Sequence, residues 1–302
     1  MRVNMIRFRR PGMTWIKGHA AVHEILVSMN KLADSALAAA PATAVKSAPC
    51  SLAGKRGVIL GIANESSIAW GCAKAMHAAG AELGLSYLND KAKPYVEPLA
   101  KHVGAPIFLP CNVEKPGELE ALFEAAAKRW GGIDFFVHSI AFAPYPELQG
   151  RLIDCSREGF LRAVDISCYS FLRMARLAEP LMPKGGCMLT MSYLGADEVI
   201  EGYDLMGPVK AALESATRYA AFELGPKGIR VHAISPGPLK TRAARGLSHF
   251  DQLLSNVEHR APLRKLVSID DVGALAAFMA SDAAASITGS LLYLDGGYHI
   301  LG

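Results

Sequence analysis

The sequence predicts an α/β protein built on a doubly wound parallel sheet, and two observations carry that expectation. Seven short apolar runs recur along the chain: Gly57–Gly61, Leu83–Leu88, Ile107–Val113, Phe135–Ile140, Met188–Ser192, Ile229–Ile234 and Ser290–Leu294. Most are separated by helix-length, Ala-rich segments, the alternation that parallel strands with crossover helices require. The chain has 302 residues, 51% hydrophobic and 20% charged, which is ample for a sizeable core. The expected organisation is a single seven-stranded, Rossmann-type domain over residues 51–302, preceded by a short basic extension, residues 1–50.

The extension differs from everything after it. It holds seven Lys/Arg against Glu24 and Asp34, leaving 25 basic and 26 acidic side chains in the rest, so the net +4 belongs to the leader. The body carries no nucleic-acid signature. No apolar run approaches the roughly 18 residues of a membrane span, and Met13–His19 is not the apolar core of a secretory signal. The leader reads as an unstructured extension, or as a start placed too early with Met29 as the alternative. Being Arg-rich and acid-poor, it also has transit-peptide character, so an organelle lumen is the alternative to a cytoplasmic location. The six cysteines form no CxxC pair and the nine histidines no HExxH spacing. Buried thiols in a reducing compartment, and no metal site, are expected.

In such a sheet ligands bind beyond the carboxyl ends of the strands, so the residues after each run are the candidate site. After the first run, Gly61 stands where a tight-turn glycine belongs, although GxGxxG is absent. Ala63, Ser66 and Ser67 are small enough to let a pyrophosphate approach the amides that open the next helix. The second run ends in Tyr87-Leu88-Asn89-Asp90, with no Arg at its tip for a 2′-phosphate and with Lys91 and Lys93 reading as solvent-facing. NADH is therefore expected over NADPH. Cys111-Asn112-Val113 follows the third run at the adenine edge, and Ser139–Ala143 follows the fourth with room for the nicotinamide ribose.

The fifth run is the centre of the argument. Met188–Met191 is the strand, Gly195 and Gly202 bracket a loop, and a helical pattern starts near Asp204. Tyr193 stands at the strand's end, Tyr203 at the helix's entrance and Lys210 seven residues on. Seven residues is close to two turns, which puts Tyr203 and Lys210 on one face. A cation beside a phenol favours the phenolate and makes it a better acid. Spacing alone leaves open that the two merely flank a helix. After the sixth run, Ser235–Thr241 makes a sharp loop, and the polar, broken stretch 242–262 suits a mobile substrate lid. Asp295-Gly296-Gly297 closes the last strand.

Over about residues 52–300 these features resemble the short-chain dehydrogenase/reductase superfamily. The common pattern of that superfamily is Tyr-x-x-x-Lys, but here Met206 stands four before Lys210. Tyr193…Tyr203-x6-Lys210, Gly61-x5-Ser67-Ile68-Ala69-x-Gly71 and His138–Ala143 instead resemble its divergent branch, the NADH-dependent enoyl-[acyl-carrier-protein] reductases of bacterial-type fatty acid synthesis. The resemblance implies reduction of the C2–C3 double bond of a trans-2-enoyl thioester. Tyr203 would be the proton donor or oxyanion stabiliser, Lys210 would hold the nicotinamide ribose, and Tyr193 would lie beside the thioester. It also implies cofactor contacts at Gly61, Ser67, Ile68, Leu88, Asn112, Val113, Ile140, Lys210, Leu239, Lys240, Thr241, Arg242 and Ala243. Substrate contacts would fall at Ala143, Tyr193, Met206 and Phe250, with the acyl chain between Tyr193, Met206, Leu247 and Phe250. The implied partners are an acyl carrier protein and further copies of the chain in a homotetramer.

Three departures stand out. Leu88 replaces a polar side chain common at the adenosine ribose. Pro208 lies in the catalytic helix, tolerable only if the helix begins at 205–207. Residues 248–252 lack the basic side chains that the family often shows at the portal, which shifts expected carrier-protein docking to Arg242, Arg245, Arg260, Arg264 and Lys265, the first two foremost. The rival readings are a ketoreductase of the same fold, which would want Tyr four before Lys, and a cofactor-binding protein with little turnover.

Overall fold

The computed structural model describes residues 50–241 and 250–301. Seven strands form one sheet: β1 (Arg56–Leu60), β2 (Glu82–Tyr87), β3 (Ile107–Pro110), β4 (Phe135–His138), β5 (Gly186–Met191), β6 (Ile229–Pro236) and β7 (Leu291–Leu294). Their order is β3-β2-β1-β4-β5-β6-β7, and every neighbouring pair is parallel. Each predicted apolar run holds one strand. The residues predicted to bind ligand after β2, β3 and β4 lie beyond the strand ends, in loops.

Eight α-helices accompany the sheet among the described residues: α1 (Ile68–Ala78), α2 (Lys93–His102), α3 (Glu118–Trp130), α4 (Arg157–Val164), α5 (Ser170–Ala178), α6 (Met206–Leu224), α7 (Phe250–Arg260) and α8 (Ile269–Ala280). A π-helical turn, Asp165–Tyr169, joins α4 to α5. None of these helices is long and apolar enough to cross a membrane.

Strand residues alternate between two cores because successive Cβ atoms point to opposite faces. Ile59, Phe135, Val137, Cys187 and Leu189 pack with Trp70 and Met76 of α1, Val96 of α2 and Val272 and Met279 of α8. Val58, Leu60, Phe136, Met188 and Val231 pack with Leu122 of α3, Phe171 and Met174 of α5 and Leu213 of α6. Both faces are dry, which is why the strands read as continuous apolar runs.

On the first face α1 and α8 approach through Gly71 and Gly273. A Cβ on Gly71 would collide with the Ile269 carbonyl, and one on Gly273 with the Gly71 carbonyl. Gly71 therefore serves helix packing. The chain runs outward from β1 through β2 to β3 and returns to β4 on the other side of β1. That reversal opens a crevice beyond the ends of β1 and β4.

Six free cysteines include four buried ones, Cys72, Cys111, Cys168 and Cys187. Burial pushes the thiols of Cys72, Cys111 and Cys187 up to about 12, so they are inert at neutral pH. No cluster of potential metal ligands occurs among the described residues.

Candidate active site

The crevice begins at Gly61, whose φ of +103° is open to glycine. A Cβ there would strike the Ser139 carbonyl beyond β4, so the loops after β1 and β4 touch. The next turn is tied by Ser67, whose buried hydroxyl accepts from the amides of Ala63 (3.0 Å) and Asn64 (3.1 Å). Ser67 also stands at the N-cap of α1 with an extended backbone. Its carbonyl takes the Trp70 and Gly71 amides. The amides of Ile68 and Ala69 open the helix without intrahelical acceptors, as the first turn of any helix must. This is the charge and shape a pyrophosphate needs.

Beyond β2, Leu88 is 51% exposed. Beyond β3, Asn112 is committed to its own turn. Its Oδ1 accepts the Glu114 amide at 3.0 Å and its amide donates to Glu118 at 2.7 Å. Val113 is buried, and its carbonyl takes Arg173 at 2.7 Å. Ile140 is partly buried in the loop after β4, and Ser167 of the π-helical turn pins that loop. The Ser167 hydroxyl accepts the Phe142 amide (2.9 Å) and donates to the Phe142 carbonyl (3.0 Å). Past β6, Leu239 is buried, Lys240 exposed and Thr241 intermediate. The Ser235 hydroxyl at the end of β6 is buried with no hydrogen-bond partner among the described residues. An orphaned donor at the carboxyl edge, open amides on α1 and a glycine-lined contact between the β1 and β4 loops fit a dinucleotide.

At the end of β5 the chemistry-bearing groups converge. Tyr193 is extended and meets Tyr203 edge to face, with ring centroids 4.7 Å apart. Lys210, 4% exposed, donates from Nζ to the Met191 carbonyl at 2.6 Å. Burial draws its ammonium down to about 8, with Cys168 and Glu214 pulling the other way. An ammonium has three donors; one is used on Met191, and two remain.

Two expectations about this pair need correction. Tyr203 is not on the helix, because α6 begins at Met206 and Asp204 has φ of +31°. The left-handed turn, not two helical turns, sets the Tyr203–Lys210 relationship. Nor does the lysine make Tyr203 a stronger acid. Burial, then Tyr193 and Glu214, push its phenol above its ordinary range, and burial does the same for Tyr193. Both phenols are therefore firmly protonated donors.

The start at Met206 makes Pro208 harmless, since it falls in the first turn where its missing N–H is not needed. Met206 and Ala143 are buried together with Leu205, Val209 and Ala163, and Tyr203 packs against them. Both candidate substrate residues thus form the wall behind the phenol. The second half of the expected lid is helix α7. Arg242, Ala243, Arg245 and Leu247, and the leader through Pro49, lie outside the described residues, and the Phe250 side chain is likewise outside them.

Several residues of the site were assigned no contact in it from the sequence. Gly195 and Gly207 bring the loop after β5 onto α6: a Cβ on Gly207 would stand 2.9 Å from the Gly195 carbonyl, and one on Gly195 would enter the Tyr203 ring. His138 is fully buried and bridges Thr190 and Ser170, each at 2.8 Å. Because the Ser170 hydroxyl donates to the Ile166 carbonyl, it accepts from His138 Nε2–H, leaving Nδ1 to accept from Thr190. Burial, aided by Lys210, holds this imidazole neutral, down to about 3. Glu214 is also buried and accepts from the Ser192 hydroxyl. A Glu four residues after Lys210 was a readable signal for a shared face.

Known proteins share this architecture. A family model described as Enoyl-(Acyl carrier protein) reductase matches residues 61–299. The chain is 48% identical over 249 residues to enoyl-[acyl-carrier-protein] reductase [NADH] 1 of Rhizobium meliloti, covering 82% of this chain and 92% of that protein. It is 45% identical over 250 residues to the NADH enzyme of Escherichia coli, covering 82% and 95%. Among solved structures, the Anaplasma phagocytophilum reductase in complex with NAD is 45% identical at a TM-score of 0.80, covering 83% of this chain and 96% of that one. The Bacillus cereus reductase with NADP+ and indole naphthyridinone is 43% identical at 0.81, covering 83% and 98%. With the family model spanning most of the domain and these identities over nearly the full length of the relatives, this chain belongs to the enoyl-[acyl-carrier-protein] reductase family.

Proposed function

We propose that this protein reduces the C2–C3 double bond of trans-2-enoyl-[acyl-carrier-protein] with NADH, using Tyr203 and Lys210 at the end of β5. The observation that carries this reading is the convergence of two protonated phenols and one buried ammonium on the crevice of a dinucleotide fold. NADH, when bound, supplies the hydride. Gly61, Ser67, Ile68, Leu88, Asn112, Val113, Ile140 and Leu239–Thr241 border the crevice that would hold it, and Arg242 and Ala243 complete the set that resemblance implies.

Hydride addition at C3 leaves an enolate with its charge on the thioester oxygen until the α-carbon takes a proton, and a phenol held protonated by burial is suited to donate a hydrogen bond to that oxygen. Tyr203 is that donor, held by Tyr193 on one side and by the Met206 wall on the other. Lys210 spends one donor on Met191 and offers the others to the ribose hydroxyls, adding positive charge beside the reacting atoms. Ala143, Tyr193, Met206 and Phe250 are the residues assigned to the acyl chain.

A homotetramer is part of this reading, supported by Tyr169 and Leu172 around α5 and Tyr219 and Phe222 on α6, all exposed. Reduced, buried cysteines support a cytoplasmic setting. Assay with crotonyl and acetoacetyl thioesters, following NADH absorbance, tests the reaction. Turnover of the enoyl substrate alone is expected; preference for the ketone would establish a ketoreductase, and no turnover of either would leave a binding protein.

A further inference from the structure

Lys210 and Glu214 lie one turn apart on α6, both buried, and each reaches the same strand end. Lys210 Nζ donates to the Met191 carbonyl, and Glu214 Oε1 accepts from the hydroxyl of Ser192, the next residue. Together they hold Met191 and Ser192, the two residues before Tyr193. A buried carboxylate is costly unless something in the fold uses its charge. We propose that Glu214, seated on the Ser192 hydroxyl, is a positioning residue for Lys210, supplying the negative charge that keeps the buried ammonium ionised at the end of β5. This rests on the assignment of Lys210 to the cofactor ribose.

The surroundings agree. Facing Lys210 are Cys168 of the π-helical turn, His138 of β4 and Glu214. His138 is held neutral by burial, and burial raises the Cys168 thiol while Lys210 draws it down, so Glu214 is the carboxylate among the groups facing the ammonium. Facing Glu214 are Lys210 and the exposed Arg218 on its own helix, Asp197 from the loop after β5, and the phenols of Tyr203 and Tyr293. Burial raises the Glu214 carboxyl while Ser192, Arg218 and Lys210 pull it down. Arg218 lies in solvent, where its charge is screened. Of these two cations Lys210 is the one buried with Glu214.

The test measures NADH affinity by fluorescence titration across the lysine titration range, using the whole protein. Affinity should fall as pH rises and Lys210 loses its proton. Glu214→Gln keeps the shape and removes the charge, so the midpoint should move to lower pH by on the order of one pH unit with the melting temperature little changed. Ser192→Ala should move it the same way by less, and Glu214→Asp should restore part of the shift. In a Lys210→Met background Glu214→Gln should have no further effect. An unmoved midpoint in Glu214→Gln, or a shift that persists without Lys210, would overturn the proposal. If Lys210→Met alone leaves NADH affinity unchanged, the assignment of Lys210 fails first and the proposal falls with it. Should Glu214→Gln not fold, the Ser192→Ala and Glu214→Asp midpoints decide by the same criterion.

Discussion

The ring of Tyr193 meets the ring of Tyr203 edge to face, centroids 4.7 Å apart and planes at 63°. One comes from the end of β5 and the other from the turn before α6, so the contact fixes where the second phenol sits. Such pairs contribute about 0.5–1.5 kcal/mol beyond burial. Tyr203→Phe keeps the contact and removes the donor. Turnover of an enoyl thioester should fall by roughly 10²–10³, with NADH affinity nearly unchanged. Tyr193→Phe should cost much less, and the reverse order would exchange the two roles.

Gly195 tests placement rather than chemistry. Its Cβ would enter the Tyr203 ring, so Gly195→Ala must displace the phenol. Steady-state kinetics should show a fall in kcat with NADH binding retained. A kinetically normal Gly195→Ala enzyme would show that the Tyr203 position is not critical.

Cofactor choice turns on the end of β2. Leu88 is exposed there and no arginine stands at the tip. NADH should exceed NADPH by at least about tenfold in kcat/KM, equivalent to about 1.4 kcal/mol. Leu88→Gln should lower the KM for NADH. Equal use of the two cofactors would show Lys91 or Lys93 reaching the 2′-phosphate.

His138 makes stability sensitive to acid. Its folded value is depressed from 6.5 to about 3, chiefly by burial, so the unfolded chain binds a proton that the folded one refuses. Its contribution is present above 6.5 and is lost as pH falls toward about 3. At full extent that is on the order of 5 kcal/mol. Urea unfolding across this window should show a shallower pH slope for His138→Gln than for the natural protein. Identical slopes would remove His138 from the acid response.

Gly71 reports on the α1–α8 contact. Gly71→Ala must push the two helices apart against backbone at Ile269, at a cost of about 1–3 kcal/mol. Thermal melting should show it without any change in catalytic pH profile.

The seven strands, their parallel alternation with helices and the candidates Tyr193, Tyr203 and Lys210 were legible in the sequence, because each rests on short-range pattern. Strand faces repeat every second residue, helices announce their caps and breakers, and Gly61 stands where the chain must turn. Tertiary structure decided the rest. The left-handed φ of Asp204 takes Tyr203 off the helix, although nothing in Tyr203-x6-Lys210 shows it. Burial by residues far apart in sequence raises the phenol that proximity to a cation would have lowered. Gly71, in the sequence only the last residue of the motif that opens with Gly61, is needed by a helix about 200 residues later. Ser192 looks ordinary until β5 and α6 are packed together and Glu214 meets its hydroxyl. Desolvation and close approach depend on what the chain brings back from a distance, and local spacing carries no record of that.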